Sequence, residues 1–291
     1  MKELIDSGIV IVDKPPTPTS HEVTAWVKKL VGAAKAGHAG TLDPNVTGVL
    51  PVGLNRATRV LHYIAPKEKE YVGIMRFKEI IGEEKVRELF KKFTGEIDQM
   101  VPKMAAVRRR LRKRKVYNLN LLEYKDHKAL FSVICEAGTY VRVLCADIGK
   151  DIGGAAMLEL RRTAVGNIRE NVSSRMQDIS DAAWLYQQGD ESALRKIIRP
   201  VEEFIALKKI VAKDTAIEAV CYGASLSIPG IAGIDETIAR GESVAVMSSD
   251  GELVAIGSAL LSGSEIKSLR KGIAIKTVRV VMEKGRYPKA W

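Results

Sequence analysis

The chain has 291 residues, 46% of them hydrophobic and 28% charged, with a formal net charge of +11 and a pI near 9.5. That is long enough for two cores and too apolar for wholesale disorder. The basic excess points to a polyanionic partner. It is also local, since seven of the eight residues from Arg108 to Lys115 are cationic. Cys135, Cys145 and Cys221 are widely spaced and form no CxxC pair, so they read as reduced, buried thiols and not as a disulfide framework. The four histidines make no HxxxH or Cys/His cluster, and no metal is expected. No apolar stretch is long enough for a membrane span and no signal peptide opens the chain.

Taken in order, Gly8–Asp13 is a run of β-branched residues stopped by Lys14-Pro15-Pro16, which predicts a buried strand. Ser20 suits the N-cap of a helix with Val23, Val27 and Leu30 on one face and Gly32 beyond its end. The stretch Gly40–Pro51 follows, with Asp43 between turn-forming residues and Gly40, Thr41, Thr47 and Gly48 suited to close backbone approach. Val49–Leu54 and Lys69–Met75 read as strands, 57–64 as a short helix, and 83–93 as a helix with Val86, Leu89, Phe90 and Phe93 at core spacing.

The segment from Gln99 to Lys115 reads as a mobile loop, because its like charges repel one another and resist packing. Residues 116–123 and 130–136 pair around the turn at 125–128, and Glu136–Arg142 continues as a strand bearing Arg142 in a small, apolar setting. A buried arginine needs an acidic partner, and Asp43 is the natural candidate. Residues 178–185 and 193–204 read as helices, the second broken by Pro200. From Lys208 the pattern changes to short strands and turns, with a hairpin at 244–256, a strand at 272–282, and turns supplied by 223–230 and 263–272. Both halves are net basic.

Gly37-His38-Ala39 through Pro51 resembles the catalytic signature of the TruB family of RNA pseudouridine synthases, and within it the archaeal and eukaryotic dyskerin branch. Gly138-Thr139-Tyr140-Val141-Arg142 and Leu158-Glu159-Leu160-Arg161-Arg162-Thr163 resemble the family's second and third signatures, in the family's order. From residue 208 onward the chain is similar to a PUA domain, and Tyr287–Trp291 resembles the end of that branch. The chain departs from the pattern in two places. It starts close to the first strand, without the longer extension common in the branch, and Arg76–Gly82 is short where relatives carry a histidine- and aspartate-containing link.

The resemblance implies an α+β protein. Residues 1–207 would form a catalytic domain on a mixed, mainly antiparallel sheet flanked by helices, and 208–291 a small β-barrel PUA domain. It implies that Asp43 is the essential carboxylate, held ionised by Arg142, that Tyr71 stacks on the displaced uracil, and that Leu160 lines the pocket. It further implies that Lys14, in a Lys-Pro pair that supports the loop, His38, and the arm residues Arg108, Arg109, Arg110, Arg112 and Arg114 serve RNA binding, with no cofactor. The implied partners are a box H/ACA guide RNA, rRNA or tRNA substrate, a small zinc-ribbon-like subunit, a glycine/arginine-rich subunit and a kink-turn-binding ribosomal protein. The expected compartment is the cytoplasm of an archaeal cell, nucleolar only for a eukaryotic source. Two alternatives stand beside a guide-dependent enzyme: a stand-alone tRNA T-loop pseudouridine synthase, and a non-catalytic RNA-binding scaffold.

Overall fold

The computed structural model describes residues 1–64, 68–102 and 108–289. Its larger sheet is built on strands in the order Ser174–Arg175, Gly8–Lys14, Thr47–Leu54, Ala155–Val165, Lys69–Phe77, Lys128–Cys135, Leu111–Lys125, Gly95–Met100. Pairing is mainly antiparallel. Thr47–Gly48 runs parallel to Arg161–Arg162, which places the loop bearing Asp43 at the seam between the two halves of the sheet.

The run Ile9-Val10-Ile11-Val12 is continuously apolar because both of its faces are covered. Val10 and Val12 pack with Val23, Val27 and Ile179 of the helices Ser20–Leu30 and Met176–Gln187. Ile9 and Ile11 face Ala245, Met247 and Leu253 of the second sheet. On the other side of the seam Tyr71, Met75 and Phe77 alternate with more exposed neighbours, and only that face is closed, by the helices Glu83–Lys92 and Val141–Gly149.

The second sheet has six strands in a barrel-like order, 226–227, 273–280, 253–259, 243–247, 209–212 and 231–234, around its own core. Glu202 accepts from the Leu253 amide, and the Arg59 guanidinium donates to the Val280 carbonyl, so polar bonds rim the apolar contact between the sheets. No helix among the described residues is long and apolar enough to cross a membrane.

Local expectations fail where tertiary partners outweigh pattern. Thr19, not Ser20, caps the first long helix in a reciprocal capping box with Glu22. Arg142 is helical: Gly138, at φ +85°, ends the strand at a turn, and the helix begins at Val141. The cationic run is a strand from Leu111, paired with Gly95–Met100, so that Lys115 faces Glu96 and Lys113 faces Asp98. Opposite charges across the ladder replace the expected repulsion. The part of the expected loop at 103–107 lies outside the described residues, as do residues 290–291 of the chain end. Ile198–Pro200 leaves the predicted helix to pair with Gly8–Val10. Asp214–Cys221 and Gly263–Ser268 add helices to the second half that strand and turn signals do not suggest.

Candidate active site

The loop from Gly40 to Val46 is held from below by three buried side chains. Ser20 Oγ accepts from the Leu42 amide at 2.9 Å and donates to its carbonyl at 3.1 Å. Lys14 Nζ donates to the carbonyls of Pro44 (2.7 Å) and Pro15 (2.8 Å). Arg162, with no exposed surface, donates through Nη2 to Gly40 O at 2.7 Å and through Nε to Val49 O at 2.8 Å. Gly48, at φ +98°, lies against the Arg162 backbone, and a Cβ there would fall onto the Arg162 carbonyl. These bonds satisfy loop carbonyls that would otherwise be buried without donors.

Above this base, Asp43 and Arg142 meet at 3.3 Å (Oδ2 to Nη2), each side chain about half exposed, at 48% and 51%. They line a cavity of about 410 Å³ with Tyr71, Leu160, Val46 and Lys69, within the size range of small-ligand sites. Tyr71 is buried in its wall. Burial raises its hydroxyl above the ordinary phenol value, so it is neutral near pH 7. A second, shallower groove of about 500 Å³ meets this cavity at Thr41 and carries His21, Lys28 and His38. His38 is fixed by Thr24 (3.0 Å) and Thr41 (3.2 Å), with His21 edge-on at 4.8 Å between ring centres. Burial, then the charge of His21, lowers its pKa, so it is neutral at physiological pH.

The four residues expected at the reacting centre, Asp43, Tyr71, Arg142 and Leu160, therefore surround one cavity. The expected RNA contacts are spread more widely. Lys14 has no surface for RNA, because its charge is spent on the Pro15 and Pro44 carbonyls under the loop. That corrects its assignment as an RNA contact and leaves its support of the loop. Arg108, Arg109 and Arg110 are exposed. Arg112 and Arg114 are half-buried, and Arg114 packs against the turn at Gly138 and lies 3.9 Å from Glu136.

Three further residues matter that sequence reasoning misses. Arg162 is visible in sequence only as part of a signature. Lys69 shares a strand face with Tyr71, a relation that the Lys-x-Tyr spacing carries. Gln99 is buried, accepts from the Tyr140 amide at 2.7 Å and donates to the Tyr140 carbonyl at 3.0 Å. It so ties the root of the basic arm to the residue that starts the Arg142 helix. Among the described residues no group of acidic, histidine and cysteine side chains could hold a metal.

Comparison with known proteins agrees along the whole chain. The TruB family pseudouridylate synthase (N terminal domain) matches residues 28–83 and 78–141, the tRNA pseudouridylate synthase B C-terminal domain matches 142–206, and the PUA domain matches 208–281. The Probable tRNA pseudouridine synthase B of Methanocaldococcus jannaschii is 47% identical over 100% of this chain and 88% of its own length. That of Archaeoglobus fulgidus is 45% identical over 100% and 90%. Among solved structures, a chain of an H/ACA RNP bound to a substrate RNA containing 2′-deoxyuridine superposes with a TM-score of 0.91 at 43% identity, covering 100% of this chain and 90% of that one. A chain of a Cbf5-Nop10-Gar1 complex gives 0.90 at 44%, covering 99% and 89%. A loop carboxylate paired with an arginine at a cavity, on a fold shared from end to end with these relatives, leads to one conclusion: the chain belongs to the TruB family of pseudouridine synthases and carries a C-terminal PUA domain.

Proposed function

We propose that this protein isomerises uridines in RNA that a box H/ACA guide selects by base pairing, with Asp43 as the reacting carboxylate. The observation that carries the reading is the full-length likeness, PUA domain included, to chains solved within H/ACA complexes. In this reading residues 1–207 do the chemistry and residues 208–291 grip the guide. The small zinc-ribbon-like and glycine/arginine-rich subunits and a kink-turn-binding ribosomal protein complete the particle, in the cytoplasm of an archaeal cell.

The site supports the chemistry step by step. A uracil turned out of its stack, at a cost of a few kcal/mol, enters between Tyr71 and Leu160. Arg142 pairs with Asp43 and aims its carboxylate at the cavity. The N1–C1′ bond breaks, the base turns, C5 bonds to C1′, and the C5 proton is lost while N1 gains one. Asp43 either attacks C1′ or removes a ribose proton to give a glycal, and both routes need its anion beside the sugar. No redox change occurs and no cofactor is called for. In this reading His38, neutral and held by two threonines, contacts the RNA near the displaced base.

A second reading has its own support. The curated relatives are named for tRNA, which fits an enzyme acting on the T-loop without a guide. Conversion of a guide-paired target and of a tRNA transcript, each with and without guide and partner proteins, separates the two. Product only with the guide supports the first reading. Product from tRNA alone replaces it with the second.

A further inference from the structure

Three cations stand at or beneath the cavity, and two are committed. Arg142 pairs with Asp43, and Arg162 donates to the carbonyls of Gly40 and Val49. The third, the Lys69 ammonium, has no hydrogen bond or ion pair to any described residue, although the side chain is partly buried and lines the same cavity as Asp43 and Tyr71. Lys69 sits two residues before Tyr71 on one strand face, so both side chains project toward the cavity. Its Nζ lies against the Asp43 loop, 3.3 Å from where a Cβ on Gly40 would stand. An ammonium half out of water, beside a buried guanidinium and without a carboxylate partner, is costly to keep. Such a cost is expected where the partner arrives with the substrate.

The reaction supplies that partner. When the N1–C1′ bond breaks, its electron pair leaves with the base, and the uracil carries a negative charge spread over N1 and the ring carbonyl oxygens. The pair is used again when C5 bonds to C1′. We propose that the Lys69 ammonium is a further catalytic residue, donating to a ring carbonyl of the detached uracil and stabilising its charge until C5 has bonded. Lys69 transfers no proton in this step; it holds charge, as donors aimed at a developing anion do. The role rests on the isomerase reading, and it applies to the nucleophilic and the glycal route alike, because both release the base as an anion.

The surroundings make the role testable by pH. Burial, then the like charge of Arg162, lowers Lys69 to about 8. The charged groups facing it are Arg162 from the adjoining strand and Asp43 and Arg142 across the cavity. The other titratable neighbours lie elsewhere on the scale: Cys135 is pushed up to about 11 and Tyr71 is raised, both by burial. The active form of Lys69 is protonated, so the rate should fall as pH rises through about 8.

The test is single-turnover pseudouridine formation from pH 6 to 10, using the full chain, its particle proteins and an RNA that the wild type converts. The expected wild-type profile loses about tenfold per pH unit above 8. Lys69→Met should be slower by roughly 10²-fold at pH 7 and lack that limb, the scale of removing one anion-stabilising donor. Lys69→Arg should recover part of the rate and move the limb beyond pH 9, with RNA affinity within threefold for all three proteins. If Lys69→Met does not fold, Lys69→Gln and the wild-type profile carry the test. A wild-type profile flat through pH 8, or a folded Lys69→Met at wild-type rate, overturns the inference alone. No product from wild type on any RNA overturns the isomerase reading with it.

Discussion

The Asp43 loop and the basic arm are both rich in polar groups, and they are built in opposite ways. The loop is clamped from beneath by Lys14, Ser20 and Arg162, whose donors end on its backbone, while the Asp43 carboxylate faces the cavity. The arm holds its strand through exposed pairs such as Lys113–Glu96 and presents Arg108, Arg109 and Arg110 to solvent. Buried hydrogen bonds fix geometry to a fraction of an ångström. Exposed cations give affinity that tolerates many backbone shapes. The protein thus separates precision, placed under the Asp43 carboxylate, from exposed positive charge, placed on the arm. Gln99 is the link between them, since its amide bonds Tyr140 at the start of the Arg142 helix.

Substitutions should divide along that line. The largest effect is expected at Gly48→Ala, where a positive φ and the collision with the Arg162 carbonyl combine to cost about 3 kcal/mol or more, read as a drop in the thermal midpoint. Arg162→Leu comes next. It strands the Gly40 and Val49 carbonyls, with a loss of roughly 1–3 kcal/mol for each, and should lower kcat while RNA affinity holds. Gln99→Leu removes both bonds to Tyr140 and should cost about 1–2 kcal/mol, with kcat falling more than KM because the Arg142 helix loses its anchor. Replacing Arg108, Arg109 and Arg110 together by alanine should leave stability within about 0.5 kcal/mol. That variant should make RNA binding less salt-dependent, lowering the slope by roughly 0.7–0.9 for each phosphate that is no longer neutralised. A destabilised arm variant, or a loop variant whose only defect is salt-sensitive affinity, would break the comparison.

Much of this division can be read from the chain itself. Ile9–Val12 and Val49–Leu54 announce strands, because residues buried on both faces leave unbroken apolar runs. Asp43, Tyr71, Arg142 and Leu160 come together as their motifs imply. Of the clamp, only the support from Lys14 is anticipated, and that by the family resemblance and not by local composition. Lys14 and Arg162 look like surface residues in sequence, and only the orphaned loop carbonyls they meet explain their burial. The arm reads as a loop because a single segment shows its own repulsion but not Glu96 and Asp98 on the strand beside it. Arg142 reads as a strand residue because the turn at Gly138 depends on its positive φ, which local composition does not distinguish from a bulge.

Asp43 as the reacting group of a pre-built site is the central claim, and Asp43→Asn tests it most directly. The exchange is isosteric, and the side chain is half exposed with Arg142 as its ion-pair partner, so the loop and its clamp should survive. Pseudouridine formation should fall by at least roughly 10⁴-fold, the scale of removing a residue that does the chemistry, while RNA affinity and thermal midpoint stay near wild type. Product at an appreciable fraction of the wild-type rate, from a folded and RNA-bound Asp43→Asn protein, would contradict that claim outright.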